Sequence, residues 1–129
     1  MYVYFMNQKE LTKAEEQVMQ ILWKIRKGFV KDILEEVPQP KPAYTTLSTI
    51  IRILEKKGFV AYRAYGKTHE YYPLISEETY KKFITEKLVS SYFGNSFKSL
   101  VSFFVEEKNL SLKEADEIIR IIEANKGQK

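Results

Sequence analysis

Short hydroxyl and cationic side chains share one side of a helical pattern near the middle of the chain. The other side of this pattern is an apolar stripe at helical spacing, made by Leu47, Ile50, Ile51 and Leu54. At 100° per residue, the polar side is centred roughly 170° away from that stripe. It has five positions and no acid among them, and they are Thr45, Ser48, Thr49, Arg52 and Lys56.

Side chains of these two kinds suit contact with the major groove of DNA. Short hydroxyls let a helix approach base edges and thymine methyl groups, and arginine and lysine reach guanine or phosphate. Tyr44, at the start of the same helix, is placed to reach a phosphate or a base. An ordinary solvated helix face is the alternative, but such faces usually mix glutamate with lysine. The absence of acid therefore favours DNA contact.

Catalytic chemistry has little support in the sequence. His69 is the one histidine, and there is no cysteine. We find no phosphate-binding glycine loop and no cluster with metal-ligand spacing, so we expect no enzyme, no metal site and no cofactor. The lack of cysteine and of any bilayer-spanning run predicts a cytoplasmic protein without membrane insertion. The apolar opening, residues 1–6, is interpreted as a short strand or a packing arm and not as a signal peptide.

The basic excess is confined to the first part of the chain. Residues 1–75 contain 12 basic and 8 acidic side chains, whereas residues 76–129 contain 9 of each, so the first part carries the whole net charge of +4. A chain of 129 residues suffices for one domain or a small domain with an oligomerisation element. We therefore predict a DNA-binding domain over 1–75 and a helical dimerisation domain over 76–129.

Two helices are predicted before the polar-faced helix. Thr12 and Glu15 have the spacing of a capping box and open a helix over 12–26. We expect Gly28 to end it. Apolar spacing then predicts a short second helix over 30–36.

A stiff connector and a β-hairpin complete the first part. Prolines in the segment 38–42 prevent regular helix before the helix over 43–57, which we expect to end at Gly58. Strand patterns follow over 59–64 and 68–74. This order of elements is typical of a winged helix-turn-helix, so the predicted fold class is mostly α with a small β-hairpin wing.

The hairpin carries cations and tyrosines. As a wing beside DNA, Arg63 and Lys67 would add phosphate contacts, and the alternative is a charged edge that resists sheet pairing. We expect His69 to be structural or on the surface rather than a ligand. Aromatic residues here could stack on bases, but on a hairpin packed against helices they are more often core. We expect a core role for Tyr62, Tyr65, Tyr71 and Tyr72.

Three helical patterns make up the tail. Ser76 caps the first, Gly94 and Asn95 separate it from the second, and a capping box of Ser111 and Glu114 opens the third. Their apolar faces exceed what so short a tail can enclose, which predicts a homodimer. The expected interface consists of Phe83, Leu88, Phe97, Leu100, Val101, Phe104, Ile118, Ile119 and Ile122.

Several ordered motifs resemble the penicillinase-repressor family of BlaI/MecI/CopY type. The run over 43–60, AYTTLSTIIRILEKKGFV, is similar to the recognition helix of that family, and LTKAEEQVMQILW over 11–23 is similar to its first helix. The wing over 62–74, YRAYGKTHEYYPL, and the tail segment KSLV over 98–101 match in register. The resemblance covers nearly all of 11–123.

The resemblance implies a homodimeric transcriptional repressor that reads a two-fold-symmetric operator overlapping a promoter. Its C-terminal helices would hold the dimer, and induction would follow cleavage in that region, triggered by a membrane sensor protease. The DNA-facing residues carried over by position are Thr45, Thr46, Ser48, Thr49 and Arg52 on the helix, with Arg63 and Lys67 on the wing.

Three features depart from the family pattern. The scissile Asn-Phe bond aligns with Phe103-Phe104, so either the protease has another preference or induction works differently. The cysteine metal motif of the copper-responsive branch is absent, which excludes copper sensing of that kind. Ile53 stands where many relatives have a basic residue.

Two other functions stay open. A ligand-responsive regulator of the MarR kind would bind a small molecule in the dimer interface instead of being cleaved. A winged-helix interaction module would bind protein and never DNA. Release of DNA by an apolar effector, without shortening of the chain, distinguishes the first, and failure to bind random duplex at low salt distinguishes the second.

Overall fold

The computed structural model describes residues 10–107 and 110–126, so the strand or arm expected over 1–6 lies outside the described residues. The order of the elements confirms the predicted fold class, mostly α with a small hairpin wing and C-terminal helices. The elements are α1 Lys13–Ile25, α2 Val30–Glu36, α3 Tyr44–Lys56, β1 Val60–Tyr65, β2 Thr68–Pro73, α4 Glu77–Tyr92, α5 Phe97–Glu107 and α6 Leu112–Lys126.

The chain divides into two compact units. The first ends at Phe83 and the second begins at Ile84, so α4 starts in the first unit and ends in the second. Within the described ranges, none of the helices combines the length and the apolar character needed to cross a membrane.

The start of α1 follows the predicted capping box. The Glu15 amide donates to Thr12 Oγ1 at 3.2 Å, and the Thr12 amide donates to Glu15 Oε1 at 3.0 Å. Two amide donors that a helix start leaves without partners are thereby satisfied.

α1 ends at the predicted place, with Arg26 as its C-cap, but Gly28 is not the residue that ends it. Arg26 has a φ of 78°, and its amide donates to the Leu22 carbonyl. Gly28 instead pairs with Tyr71, donating to its carbonyl at 2.9 Å and accepting from its amide at 2.8 Å. A Cβ on Gly28 would lie 3.0 Å from Ile25 Cδ1. Glycine therefore suits this position, because little room is left for a side chain where the backbone pairs with β2.

The connector holds the end of α2 through one side chain. Lys41 Nζ donates to the carbonyls of Leu34 at 2.8 Å, Glu35 at 3.1 Å and Val37 at 2.5 Å. A cation at this position satisfies carbonyls that have no partner in the helix and opposes the negative end of the helix dipole. Lys41 thereby fixes the path of the chain from α2 to α3.

The core of the first unit joins all its helices to the hairpin. The apolar side of α3 is buried as predicted at Leu47, Ile51 and Leu54, while Ile50 is half-buried. The fully buried side chains are Phe59, Met19, Leu22, Ile33, Leu47, Ile51, Leu54, Val18 and Val60.

The start of α4 is fastened to this core. Trp23 Nε1 donates to the Ile75 carbonyl at 2.8 Å, and the Tyr80 ring lies 5.7 Å from that of Phe59. Ser76 caps α4 as predicted, because its Oγ accepts from the Thr79 amide at 3.1 Å. The first unit therefore includes the opening turns of α4.

The second unit shows the predicted break and cap. Gly94 and Asn95 both have positive φ, 56° and 62°, between α4 and α5. Before α6, the Glu114 amide donates to Ser111 Oγ at 3.1 Å, and the Ser111 amide donates to Glu114 Oε1 at 3.3 Å. The predicted break at Gly94 and Asn95 and the predicted capping box of Ser111 and Glu114 are both confirmed.

Candidate nucleic-acid interface

The outer side of α3 presents hydroxyls and cations to solvent. Its side chains are exposed at Thr45, Thr46, Thr49, Arg52 and Lys56 and partly exposed at Ser48. The single acid of α3, Glu55, flanks this face. The burial of the opposite side in the core anchors α3, so the backbone that carries these polar groups is packed against the rest of the unit.

One hydroxyl on this face is already engaged. Thr49 Oγ1 donates to the Thr45 carbonyl at 3.0 Å, one turn back along α3. Its lone pairs can still accept a hydrogen bond, but the donor is committed to the backbone in this conformation. Ser48 and Thr46 make no side-chain hydrogen bond to any described residue.

The N-terminus of α3 lacks a side-chain cap. Its N-cap residue is Ala43, which contributes no side-chain hydrogen bond, and its first turn contains no acid. The amides of this turn therefore keep the positive partial charge of a helix start. Tyr44, which begins α3, is 55% exposed beside them, so the turn is electrostatically suited to an anion such as a phosphate.

The register of the hairpin separates its side chains into two sets. Tyr62 pairs with Tyr71, and these two line the side that faces α3, whereas Arg63 pairs with Glu70 on the other side. The Tyr62 and His69 rings stack with centroids 3.8 Å apart and planes 6° apart.

The prediction that four hairpin tyrosines belong to the core was wrong for three of them. Tyr71 is 6% exposed, but Tyr62, Tyr65 and Tyr72 are 39%, 49% and 38% exposed. Tyr65 and Tyr72 lie on the outer side of the hairpin, whereas Tyr62 is on the side that faces α3 but borders an open groove. Tyr71 shares the side of Tyr62 and lies where the backbone of Gly28 pairs with β2.

An open groove of about 590 Å³ lies between the hairpin, α3 and the start of α2, and we call it the wing groove. Four of the residues predicted to bind DNA line it together, namely Tyr44, Ser48, Arg52 and Lys67. The other lining residues are Phe29, Val30, Lys31, Glu55, Tyr62, Thr68, His69 and Tyr71. The remaining predicted residues Thr45, Thr46, Thr49, Lys56 and Arg63 are not part of it.

Sequence reasoning missed the contribution of Lys31 to this surface. It is the second residue of a short helix, where a lysine is unremarkable, and only the packing of α2 against the hairpin brings it opposite α3.

The surroundings of the groove also shift the pKa of Tyr71. Burial raises the pKa of its hydroxyl, and Glu55 raises it further, while Arg52 acts in the opposite direction.

The residues predicted for a dimer interface differ in exposure. Phe83 and Leu100 are buried within the chain, and Val101 and Ile118 are partly exposed. The exposed members are Leu88, Phe97, Phe104, Ile119 and Ile122. The candidate cleavage site, Phe103-Phe104, lies inside α5 with both rings more than 40% exposed.

The order of the helices and the hairpin defines a winged helix-turn-helix protein. A family model described as penicillinase repressor matches residues 11–124. The chain belongs to this family of transcriptional repressors.

Named relatives extend over most of the chain. The methicillin resistance regulatory protein MecI of Staphylococcus aureus strain N315 is 32% identical over 114 residues, which are 88% of this chain and 93% of the relative. The penicillinase repressor of Bacillus licheniformis is 26% identical over 121 residues, 93% of this chain and 94% of the relative. The penicillinase repressor of Staphylococcus aureus is 28% identical over 117 residues, 90% and 93% of the two chains.

Proposed function

We propose that the protein is a cytoplasmic homodimeric repressor that binds a two-fold-symmetric operator with α3 in the major groove. The observation that carries this proposal is the two-sided α3, with hydroxyls and cations exposed on one side and Leu47, Ile51 and Leu54 buried on the other. A helix held in this way can enter the groove without leaving the core. Thr45, Thr46, Ser48, Thr49 and Arg52 then face base edges, and Lys56 reaches the backbone.

The hairpin supplies the second set of contacts. Lys67 at its tip lies beside the wing groove, close to the α3 residues that would enter the DNA. Arg63 lies on the outer side of β1, opposite Glu70. We assign both cations to phosphate contacts, which add affinity without reading sequence.

Dimerisation is supported by the exposed apolar side chains of the second unit. In α6, Ile119, Ile121 and Ile122 are 51%, 61% and 51% exposed. Isolated exposed isoleucines are common, but Ile119 and Ile122 lie one turn apart on the side of α6 that also carries the partly exposed Ile118, and together they make a patch that water solvates poorly. A second copy presenting the same patch would cover it, as in two-fold-symmetric dimers.

We also propose that proteolysis within α5 relieves repression, and the helical structure of α5 sets a condition for this cleavage. Phe103 and Phe104 are exposed, but the bond between them is inside an 11-residue helix. A protease needs an extended segment, so cleavage there requires local opening of α5. Loss of the dimer after cleavage would remove the gain from joining two half-site contacts.

Selection of bound duplexes from a random pool, followed by mobility-shift titration, tests this function. We expect recovery of an inverted repeat whose half-sites are about one helical turn or a multiple apart. We also expect affinity to fall steeply as salt rises, because several phosphates are neutralised. Recovery of a single unrepeated site would contradict the two-fold arrangement, and no duplex binding at low salt would leave a protein-interaction module instead.

A further inference from the structure

We propose that the wing groove is an effector site for a small planar aromatic carboxylate, which competes with DNA for Arg52 and Ser48. All the residues that line the site belong to the first unit, and none of them is among those expected at the dimer interface. Binding of the carboxylate is independent of the proposed repressor function, whereas its effect on DNA rests on that function.

The size and the rings of the groove fit a flat aromatic molecule. Its volume of about 590 Å³ is within the range of about 300–1,000 Å³ that small-molecule sites usually have. The stacked pair of Tyr62 and His69 forms one wall, and the Tyr71 ring lies 5.7 Å from Tyr62 and 6.1 Å from His69. Aromatic side chains bind aromatic ligands through offset or edge-to-face contacts.

The charges of the groove favour an anion. Lys31, Arg52 and Lys67 line it, against the single carboxylate of Glu55. None of these four side chains forms an ion pair or hydrogen bond with another described residue. Three cations without partners around one acid leave a net charge of about +2, which attracts an anion and which a monoanion would reduce.

A polar atom is also aimed into the groove without a partner. Tyr71 is 94% buried by its 6% exposure, yet its hydroxyl makes no hydrogen bond to any described residue. Within the described residues, every buried side-chain oxygen has a hydrogen-bond partner. The Tyr71 hydroxyl has none, so it belongs to the exposed part of this residue and reaches the groove that the residue lines. A carboxylate accepting this donor beside Arg52 would satisfy both.

Occupation of the groove would interfere with DNA directly. Arg52 and Ser48 belong to the lining and also to the α3 face assigned to base contacts. A carboxylate bound to the Arg52 guanidinium keeps this side chain from contacting DNA. The carboxylate and the DNA therefore cannot bind at the same time.

A calorimetric titration of the whole protein with 2-naphthoate, in the absence of DNA, tests the site. We expect saturable binding that the uncharged 2-naphthamide does not show. Tyr71→Phe should weaken binding about tenfold, because it removes one hydrogen bond to a charged group and leaves the ring in the core. Its matched control is Tyr72→Phe, which changes an exposed tyrosine on the other side of the hairpin.

A second pair of variants tests the charge requirement. Lys31→Gln should weaken 2-naphthoate binding several-fold, and Lys27→Gln should leave it unchanged, because Lys27 is an exposed cation outside the groove. Circular dichroism confirms that each variant is folded. Added 2-naphthoate should then release DNA from the wild-type protein but not from Tyr71→Phe at the same concentration.

Several outcomes would overturn the proposal. Absence of saturable binding does so, and so does binding that Tyr71→Phe and Lys31→Gln leave unchanged, since the molecule then sits elsewhere. If 2-naphthoate fails to bind while the same two variants weaken DNA binding, the groove holds the DNA backbone instead. If it binds but the protein never binds DNA, the site stands and the repressor function fails.

Discussion

Lys57 Nζ lies 2.6 Å from Glu15 Oε1 and joins the end of α3 to the start of α1 across 42 residues of sequence. The two side chains are 24% and 7% exposed. The same carboxylate oxygen accepts the Thr12 amide of the capping box. One buried acid therefore holds both the first turn of α1 and the residue that follows α3.

Removal of the cation should destabilise the fold more than removal of its neighbour. Lys57→Met keeps the apolar stem but leaves the Glu15 carboxylate buried without its partner, which should cost about 2 kcal/mol of unfolding free energy. Lys56→Met, one residue earlier and exposed, should cost less than about 0.5 kcal/mol. Urea titration measures both. Equal losses would mean that the pair contributes nothing specific.

Acid should weaken the fold through the same carboxylate. Burial raises the pKa of Glu15, but the hydrogen bonds from Lys57 and from the Thr12 amide outweigh it and hold the pKa below its ordinary value of 4.5. A depressed pKa in the folded state means that the stabilisation is complete above pH 4.5 and is lost as the pH falls through the folded-state value.

Glu15→Gln should therefore flatten the dependence of stability on pH in the acid range. Urea midpoints measured from about pH 6 down to about pH 3 should fall less steeply for this variant than for the wild type. Glu86→Gln removes an exposed carboxylate of α4 and serves as the matched control. A slope for Glu15→Gln as steep as that of the wild type would contradict the assignment to Glu15.

Arg52 should contribute to sequence discrimination as well as to affinity. If it reads a base, Arg52→Ala should weaken operator binding by about 1–3 kcal/mol and random-DNA binding by less. Lys82→Ala removes an exposed cation of α4, away from α3 in sequence, and should leave the ratio of operator affinity to random-DNA affinity unchanged. Mobility-shift titrations on both duplexes measure it. An equal loss on both duplexes would reduce Arg52 to a phosphate contact.

Charge placed in the isoleucine patch of α6 should produce monomers. Ile119→Lys combined with Ile122→Lys puts two solvated cations where a second copy is expected to pack, so sedimentation equilibrium should shift to the monomer mass. Glu117→Lys, on the polar side of α6, is the control for added charge. A dimer that survives the double substitution would place the interface elsewhere.

Much of the local structure could be predicted from single segments. The capping boxes at Thr12 and Ser111 formed as expected because their partners lie three residues away. The two-sided pattern of α3 likewise predicted which of its residues face the core, since helical periodicity alone determines that side. These features depend on interactions within one turn of a helix.

The role of Gly28 and the exposure of the hairpin tyrosines could not be predicted in this way. Gly28 is a usual helix terminator by sequence, but its pairing with Tyr71 depends on where β2 passes, 43 residues later. The four tyrosines have similar local contexts, and what distinguishes Tyr71 is its place in the tertiary structure, on the side of the hairpin that faces α3 and beside Gly28.

What the sequence by itself determined is the set of helices and strands, their caps and the polar face of α3, because periodicity and capping act over a few residues. The tertiary structure alone decided which distant groups meet. It brought Lys57 to Glu15, and it placed Lys31, Arg52 and Tyr71 around one groove. The physical reason is that burial and charge pairing depend on distances through space, which the order of residues does not specify until the core has packed.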